Sequence, residues 1–286
     1  MNLKSVLRFL KKKQKKKIFI FDQDDLSLLE KELSNCKFFA LDTEFDWRTT
    51  YFPKLSLIQI SANQTLFLVD CLKVNPRDIL KKYLEDPNIL KIFHSVRSDT
   101  TVLSKCLDSF TCNVFDIQIA DILISNEGIN SYANIVKKFF YIKLKKSETN
   151  SNWLKRPLTR NQLEYALDDV DFLVEIYQYQ IKILDKRNLL EKALLDSEKE
   201  ASLGNQPLKK IRLMKQENKL SKRNKEIFKW REELAEEDNI PPAFIFNNKH
   251  LKTLSKIRSN DKFAKKKIMA ILGDNLLVEK FMTSFL

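Results

Sequence analysis

The chain has 286 residues, 43% of them hydrophobic and 31% charged, with only three glycines and four cysteines. These proportions exclude collagen-like, disordered and disulfide-dense chains, and no apolar run is long enough to span a bilayer, so the length implies one large core plus a smaller one. The formal net charge of +13 is concentrated in residues 1–17, with eight basic residues and no acid, and in residues 207–225, with eight against Glu217.

The body of the chain is therefore near neutral, and the two basic segments point to a polyanion, nucleic acid ahead of a membrane surface. Solvated arms are the alternative. In residues 1–17, Leu3, Val6, Leu7 and Leu10 at helical spacing precede a lysine run, which reads as a basic arm or short helix; an organelle-targeting peptide is the other reading. Ile18 to Phe21 is predicted as a strand, followed by a helix capped by Asp24 or Asp25 and running through Leu33. Phe38 to Phe45 is the next strand. After a loop holding Trp47, Tyr51, Phe52 and Pro53, two more strands, Leu55–Ile60 and Thr65–Val69, flank an Asn63-Gln64 turn.

A helix is predicted over 76–86, a strand over Ile89–Phe93 ending at His94, and a helix from Ser95 to Leu107. Val114–Ile117 is a short strand, 116–125 and 130–140 are helices, and Lys145–Pro157 is an irregular segment anchored by Trp153. Thr159 and Gln162 form a capping-box pattern opening a long helix whose apolar stripe runs from Leu163 to Leu184. Gly204 and Pro207 break the periodicity of 196–210, the pattern of a linker, and helices follow at about 221–238, 248–258, 261–272 and 275–285, with Gly273 as a stop. The expected organisation is a basic arm over 1–17, an α/β domain over 18–200, a basic linker over 201–220 and a small all-α helical bundle over 221–286.

Asp42 and Glu44 sit two residues apart and so share one face of their strand. Burying such a pair is costly unless a cation lies between them, and a divalent metal is the natural candidate; two solvated acids at a strand end is the other reading. Asp99 and Asp169 add carboxylates on separate elements, and Tyr165 lies four residues before Asp169, one turn away on the same helix face. Four carboxylates can hold two hard cations, the arrangement of an in-line phosphoryl displacement, with Asp42 as the bridging acid. With an unperturbed pKa of about 10, the Tyr165 phenol suits orienting the attacking water better than deprotonating it.

These residues resemble the DEDD-type 3′-5′ exonucleases of the Tyr subclass, and within it the ribonuclease D family. The first motif is Leu41-Asp42-Thr43-Glu44-Phe45 with Leu55–Ile60 downstream, the second is Phe93-His94-Ser95-Val96-Arg97-Ser98-Asp99, and the third is Tyr165 through Val170, preceded by Trp153, Arg156, Pro157, Leu158, Thr159 and Gln162. Phe228, Trp230, Arg231, Pro241-Pro242 and His250-Leu251 are similar to the helicase-and-RNase-D C-terminal (HRDC) domain. The resemblance implies a ribonuclease H-like mixed sheet flanked by helices, two Mg2+ or Mn2+ ions on Asp42, Glu44, Asp99 and Asp169, and release of nucleoside monophosphates from the 3′ ends of transfer RNA and other structured RNAs. Thr43, Gln59, His94, Trp153 and Arg156 are the expected substrate-binding residues. For Trp153 a core position, for His94 a helix cap and for Arg156 a solvated face are the competing readings.

Two departures bear on the resemblance: one helical module where ribonuclease D often has two, and Thr100 and Thr101 where an apolar or acidic residue is usual. A DNA exonuclease and a non-catalytic RNA-binding module are the alternative functions. Cys36, Cys71, Cys106 and Cys112 form no Cys-x-x-Cys pair, so a reduced, cytoplasmic protein is expected, monomeric and without membrane attachment.

Overall fold

A computed structural model describes residues 15–145, 147–216 and 220–286. The predicted basic arm up to residue 14, Lys146, and Lys219 of the predicted linker lie outside the described residues. The chain divides into two compact units: residues through Asp46 with Pro53–Gln206, and Trp47–Phe52 with Pro207–Leu286.

The larger unit is built on a six-stranded sheet of β1 (Lys16–Ile20), β2 (Phe38–Asp46), β3 (Lys54–Ala62), β4 (Thr65–Asp70), β5 (Leu90–Phe93) and β6 (Val114–Asp116), in the order β1-β4-β3-β2-β5-β6. β2, β3 and β4 form an antiparallel meander, whereas β1, β5 and β6 pair in parallel with their neighbours. The predicted mixed sheet is therefore present. Because successive side chains alternate in direction, strands β2 to β6 each feed two cores. Phe39, Leu41, Ile58 and Ile60 pack on one face against α1 (Leu26–Leu33), α2 (Arg77–Leu84) and α3 (Arg97–Leu107). Ala40, Leu57, Leu66 and Leu68 pack on the other against α4 (Ile117–Ser125), α5 (Tyr132–Phe140), α6 (Arg160–Asp171) and α7 (Leu173–Lys186).

Two helical expectations are corrected. The long helix expected from Thr159 to Leu184 opens with its capping box but breaks at Phe172, where φ is −110° and ψ −3°. The Phe172 amide donates to the Tyr132 hydroxyl at 3.1 Å and to Val170 O, not to Asp168 O four residues back, and an inserted side chain is a recognised cause of such a break. The stretch expected as a linker is helical as well: α8 (Leu190–Gly204) packs on α3 and β6, and α9 (Leu208–Met214) follows Pro207. Gly204 has a steric purpose there, since a Cβ would lie 1.9 Å from Thr100 Oγ1 and 2.6 Å from the Arg97 carbonyl.

The smaller unit holds α9, α10 (Lys222–Glu237), the short α11 (Pro242–Ile245) and α12 (Leu251–Leu254), α13 (Ala264–Leu272) and α14 (Asn275–Phe285). Trp230 is half-buried against the core, edge-on to Phe281 and Phe285, and Gly273 ends α13 with a φ of +68° as expected. Several charges of the basic segment 207–225 are spent within this unit. Arg212 pairs with Glu232 at 3.0 Å and lies over the Tyr51 ring, Lys209 pairs with Glu233 at 2.9 Å, and Arg223 donates to the carbonyls of Ile257 and Phe285. Lys15, counted with the basic arm, is likewise buried: its Nζ meets Asp171 O at 2.5 Å, Glu175 at 3.1 Å and Ser61 Oγ at 3.2 Å.

Candidate active site

The acids converge because strand alternation and helix periodicity aim them at one end of the sheet. Asp42 and Glu44 follow Ala40 on the face covered by α6, the helix that carries Tyr165 and Asp169. A register slip between Glu44 and Phe45, where β3 contributes an extra residue, bends the ladder beside the pair. Asp42, Glu44 and Asp169 each offer a carboxylate oxygen within 4.8 Å of the other two.

Asp99 arrives from the opposite face, on the first turn of α3. Thr43, pointing that way between the two acids, donates its hydroxyl to Asp99 Oδ1 at 2.6 Å, so its one hydroxyl proton is committed to holding a carboxylate. Asp99 is absent from the tight trio, yet it is electrostatically part of the group. Burial and the charge of Asp42 push its carboxyl well above the usual carboxylate range.

The other three shift the same way. Burial and then Asp169 raise Asp42 well above its ordinary value. Burial, Asp42, Asp169 and Asp99 push Glu44 up to about 10. Asp169 rises to about 7, driven by burial and Asp168 and opposed by the hydrogen bond from Tyr165. No described lysine or arginine offsets the four. An all-oxygen donor set whose members suppress one another's ionisation fits hard divalent cations, which would restore the charged forms. Asp42 is the acid the others share electrostatically: it feels the charge of Asp169 and in turn raises Glu44 and Asp99.

Burial and the charges of Asp169, Glu44 and Asp42 hold the Tyr165 phenol above its ordinary pKa. A protonated phenol can donate a hydrogen bond, and Thr149 Oγ1 lies 3.4 Å from its hydroxyl.

The substrate-binding expectations fare differently. Gln59 is directly opposite Asp42 on β3 and so shares its face, but it is fully buried and its amide has no hydrogen-bond partner, which leaves it no surface for substrate. Trp153 is 3% exposed and packs 6.0 Å from the Tyr165 ring, a core position that rules out base stacking. Arg156 is committed to Asp70, Nε to Oδ2 at 2.7 Å and Nη2 to Oδ1 at 2.6 Å, with further bonds to Trp153 O and Ser56 Oγ. His94 turns to the segment after α4, its Nε2 3.1 Å from Asn130 O and 3.2 Å from Gln118 Nε2, and burial lowers its pKa. Asp116 caps α4 and accepts the Ser95 and Val96 amides, fixing the turn into α3. Lys15 and Tyr132, which anchor the end of α6, had no local sequence signal, because their partners lie far along the chain.

A family model described as 3′-5′ exonuclease matches residues 18–185, and one described as HRDC domain matches residues 221–268. The chain is 30% identical over 257 residues to ribonuclease D of Desulfotalea psychrophila, covering 85% of this chain and 68% of that one. It is 31% identical over 252 residues to ribonuclease D of Pseudomonas paraeruginosa, covering 84% and 66%. The chain thus spans about two thirds of the length of the curated relatives it matches. Among solved structures, it is similar to Escherichia coli RNase D, described as an exoribonuclease involved in structured RNA processing, with a TM-score of 0.76 and 26% identity over 93% of this chain and 75% of that one. It is also similar to the catalytic core of RRP6 from Trypanosoma brucei, with a TM-score of 0.65 and 25% identity over 94% and 80%. These likenesses agree with a ribonuclease H-like sheet.

Proposed function

The chain belongs to the ribonuclease D family of 3′-5′ exoribonucleases, and from that membership we propose that it releases nucleoside 5′-monophosphates from RNA 3′ ends, in transfer RNA 3′ maturation, using two Mg2+ or Mn2+ ions. The observation that carries the metal-dependent part is the trio Asp42, Glu44 and Asp169, whose oxygens lie within 4.8 Å and whose charges no described basic residue offsets.

Asp42, Glu44, Asp99 and Asp169 hold the ions. Once bound, such cations supply the Lewis acidity that acidifies the attacking water and stabilises charge on the departing 3′-oxygen. The residues themselves do the positioning. Tyr165, kept protonated, donates to Asp169 and orients the water for in-line attack. Thr43 keeps Asp99 turned toward Asp42. In this reading Glu44 meets the terminal 3′-hydroxyl, a contact that would favour trimming an end over cutting within a strand. The HRDC match of the helical unit supports an auxiliary part in holding RNA.

The test is incubation of matched 3′-labelled RNA and DNA oligonucleotides with the protein, with Mg2+, Mn2+ or a chelator, beside Asp42→Ala. Monophosphate release from RNA that needs the metal and disappears in the variant is the expected result. Release that persists in Asp42→Ala would remove the site assignment, and faster release from DNA would move the substrate class.

A further inference from the structure

The break between α6 and α7 lies three residues beyond Asp169, and it is built by a side chain from elsewhere. Tyr132, the first residue of α5 and 8% exposed, places its hydroxyl where one helical hydrogen bond would run: it donates to Asp168 O at 3.1 Å and accepts from Phe172 N at 3.1 Å. In an uninterrupted helix those two groups would bond each other. The carbonyl thus held belongs to the peptide that links Asp168 to Asp169. Lys15 Nζ donates to the carbonyl of Asp171, also at the break, at 2.5 Å. Around the break the helices diverge in what they cover, with α6 on β2, β3 and β4, and α7 on β5, β2 and α4. The Tyr132 ring also packs 5.9 Å from that of His94, at the end of β5.

We infer that Tyr132 is a positioning residue for the acid cluster: its hydroxyl holds the helix open between Asp168 and Phe172 and so sets the direction in which Asp169 is presented to Asp42 and Glu44. The inference rests on the proposed reading of those acids as cation ligands. Without the hydroxyl, either Asp168 O and Phe172 N close on each other and straighten the helix, or each loses the hydrogen bond that Tyr132 supplies and the turn between them relaxes. Both outcomes rotate the peptide leading into Asp169.

The test is Tyr132→Phe beside Tyr83→Phe, a second buried tyrosine, whose hydroxyl bonds Glu30 O at 3.4 Å on the α1–α2 side. Calorimetric titration of the metal-free protein with Mn2+ should show affinity weakened about tenfold or more in Tyr132→Phe and unchanged in Tyr83→Phe, as for other residues that orient ligands without touching the ion. The kcat on a 3′-labelled RNA should fall in parallel at constant KM. Wild-type affinity for Mn2+ in folded Tyr132→Phe overturns the inference. Wild-type protein that binds no Mn2+ would remove the reading beneath it, and the inference too. A measurement independent of any variant is Mg2+ titration of the 15N-labelled wild type: the Phe172 and Asp169 amide resonances should move together, and a Phe172 amide that stays still while Asp169 moves overturns it.

Discussion

Removing the Arg156 guanidinium should cost stability and leave substrate affinity alone, the opposite of what a phosphate-binding arginine would do. Its partner Asp70 has a side chain only 1% exposed, against 21% for Arg156, and the pair is bidentate at 2.6 and 2.7 Å. Arg156→Met therefore strands a buried carboxylate, a loss of roughly 3–5 kcal/mol. It also deletes the donors to Trp153 O and Ser56 Oγ, at about 1 kcal/mol each, part of which is recovered by relaxation. Asp70 keeps one compensating bond, from the Leu72 amide at 3.1 Å, so a net loss of about 4 kcal/mol is expected. Urea unfolding measures it directly, and the double variant Asp70→Asn/Arg156→Met should lose less than the two single losses summed, because no charge is then left unpaired. Initial rates on RNA, taken at a temperature where the variant is folded, should give an unchanged KM. A stability loss below about 1 kcal/mol together with a KM raised about tenfold would refute the reasoning and return Arg156 to the substrate.

The metal-free site should make stability depend on pH. Asp169 at about 7 and Glu44 at about 10 lie above the ordinary carboxylate values of about 4, so the folded state binds more protons, and stability complete below about pH 4 is lost as pH rises through 7. Melting in a chelator from pH 5 to 8 should show Tm falling, and saturating Mg2+ should reverse the slope; a flat profile in chelator would sink this account. Gln59→Met should leave the metal-free fold as stable, or more stable by about 1 kcal/mol, because the amide it removes is buried and unpartnered; an unfolding free energy lower by about 2 kcal/mol would contradict that. Gly204→Ala should destabilise by about 1–3 kcal/mol, and Thr100→Ala should restore only part of it because the Arg97 carbonyl is backbone; full restoration would show that the backbone yields.

The strands and most helices were legible because each carries its period within a few residues, and the acids were legible because a helix turn and a strand step place Tyr165 with Asp169 and Asp42 with Glu44 whatever surrounds them. The misreadings share one cause. Gln59, Trp153 and Arg156 are polar or aromatic residues near motif positions, and whether such a side chain meets solvent or core depends on what packs over it. For Arg156 that is Asp70, 86 residues away. Likewise α8 looked like a linker because Gly204 and Pro207 resemble breakers, although Gly204 is there for its close approach to α3.

Local spacing by itself determined the elements, the capping box of α6 and the four acids with their tyrosine. Only the tertiary structure decided that Asp99 comes from the opposite face of the sheet through Thr43, that the long helix breaks at Phe172, and that Lys15 is buried instead of reaching for a polyanion. Periodicity fixes which residues share a face, but a hydrogen bond across 40 or 156 residues leaves no trace in either neighbourhood, since its partners meet only once the sheet and helices have closed around them.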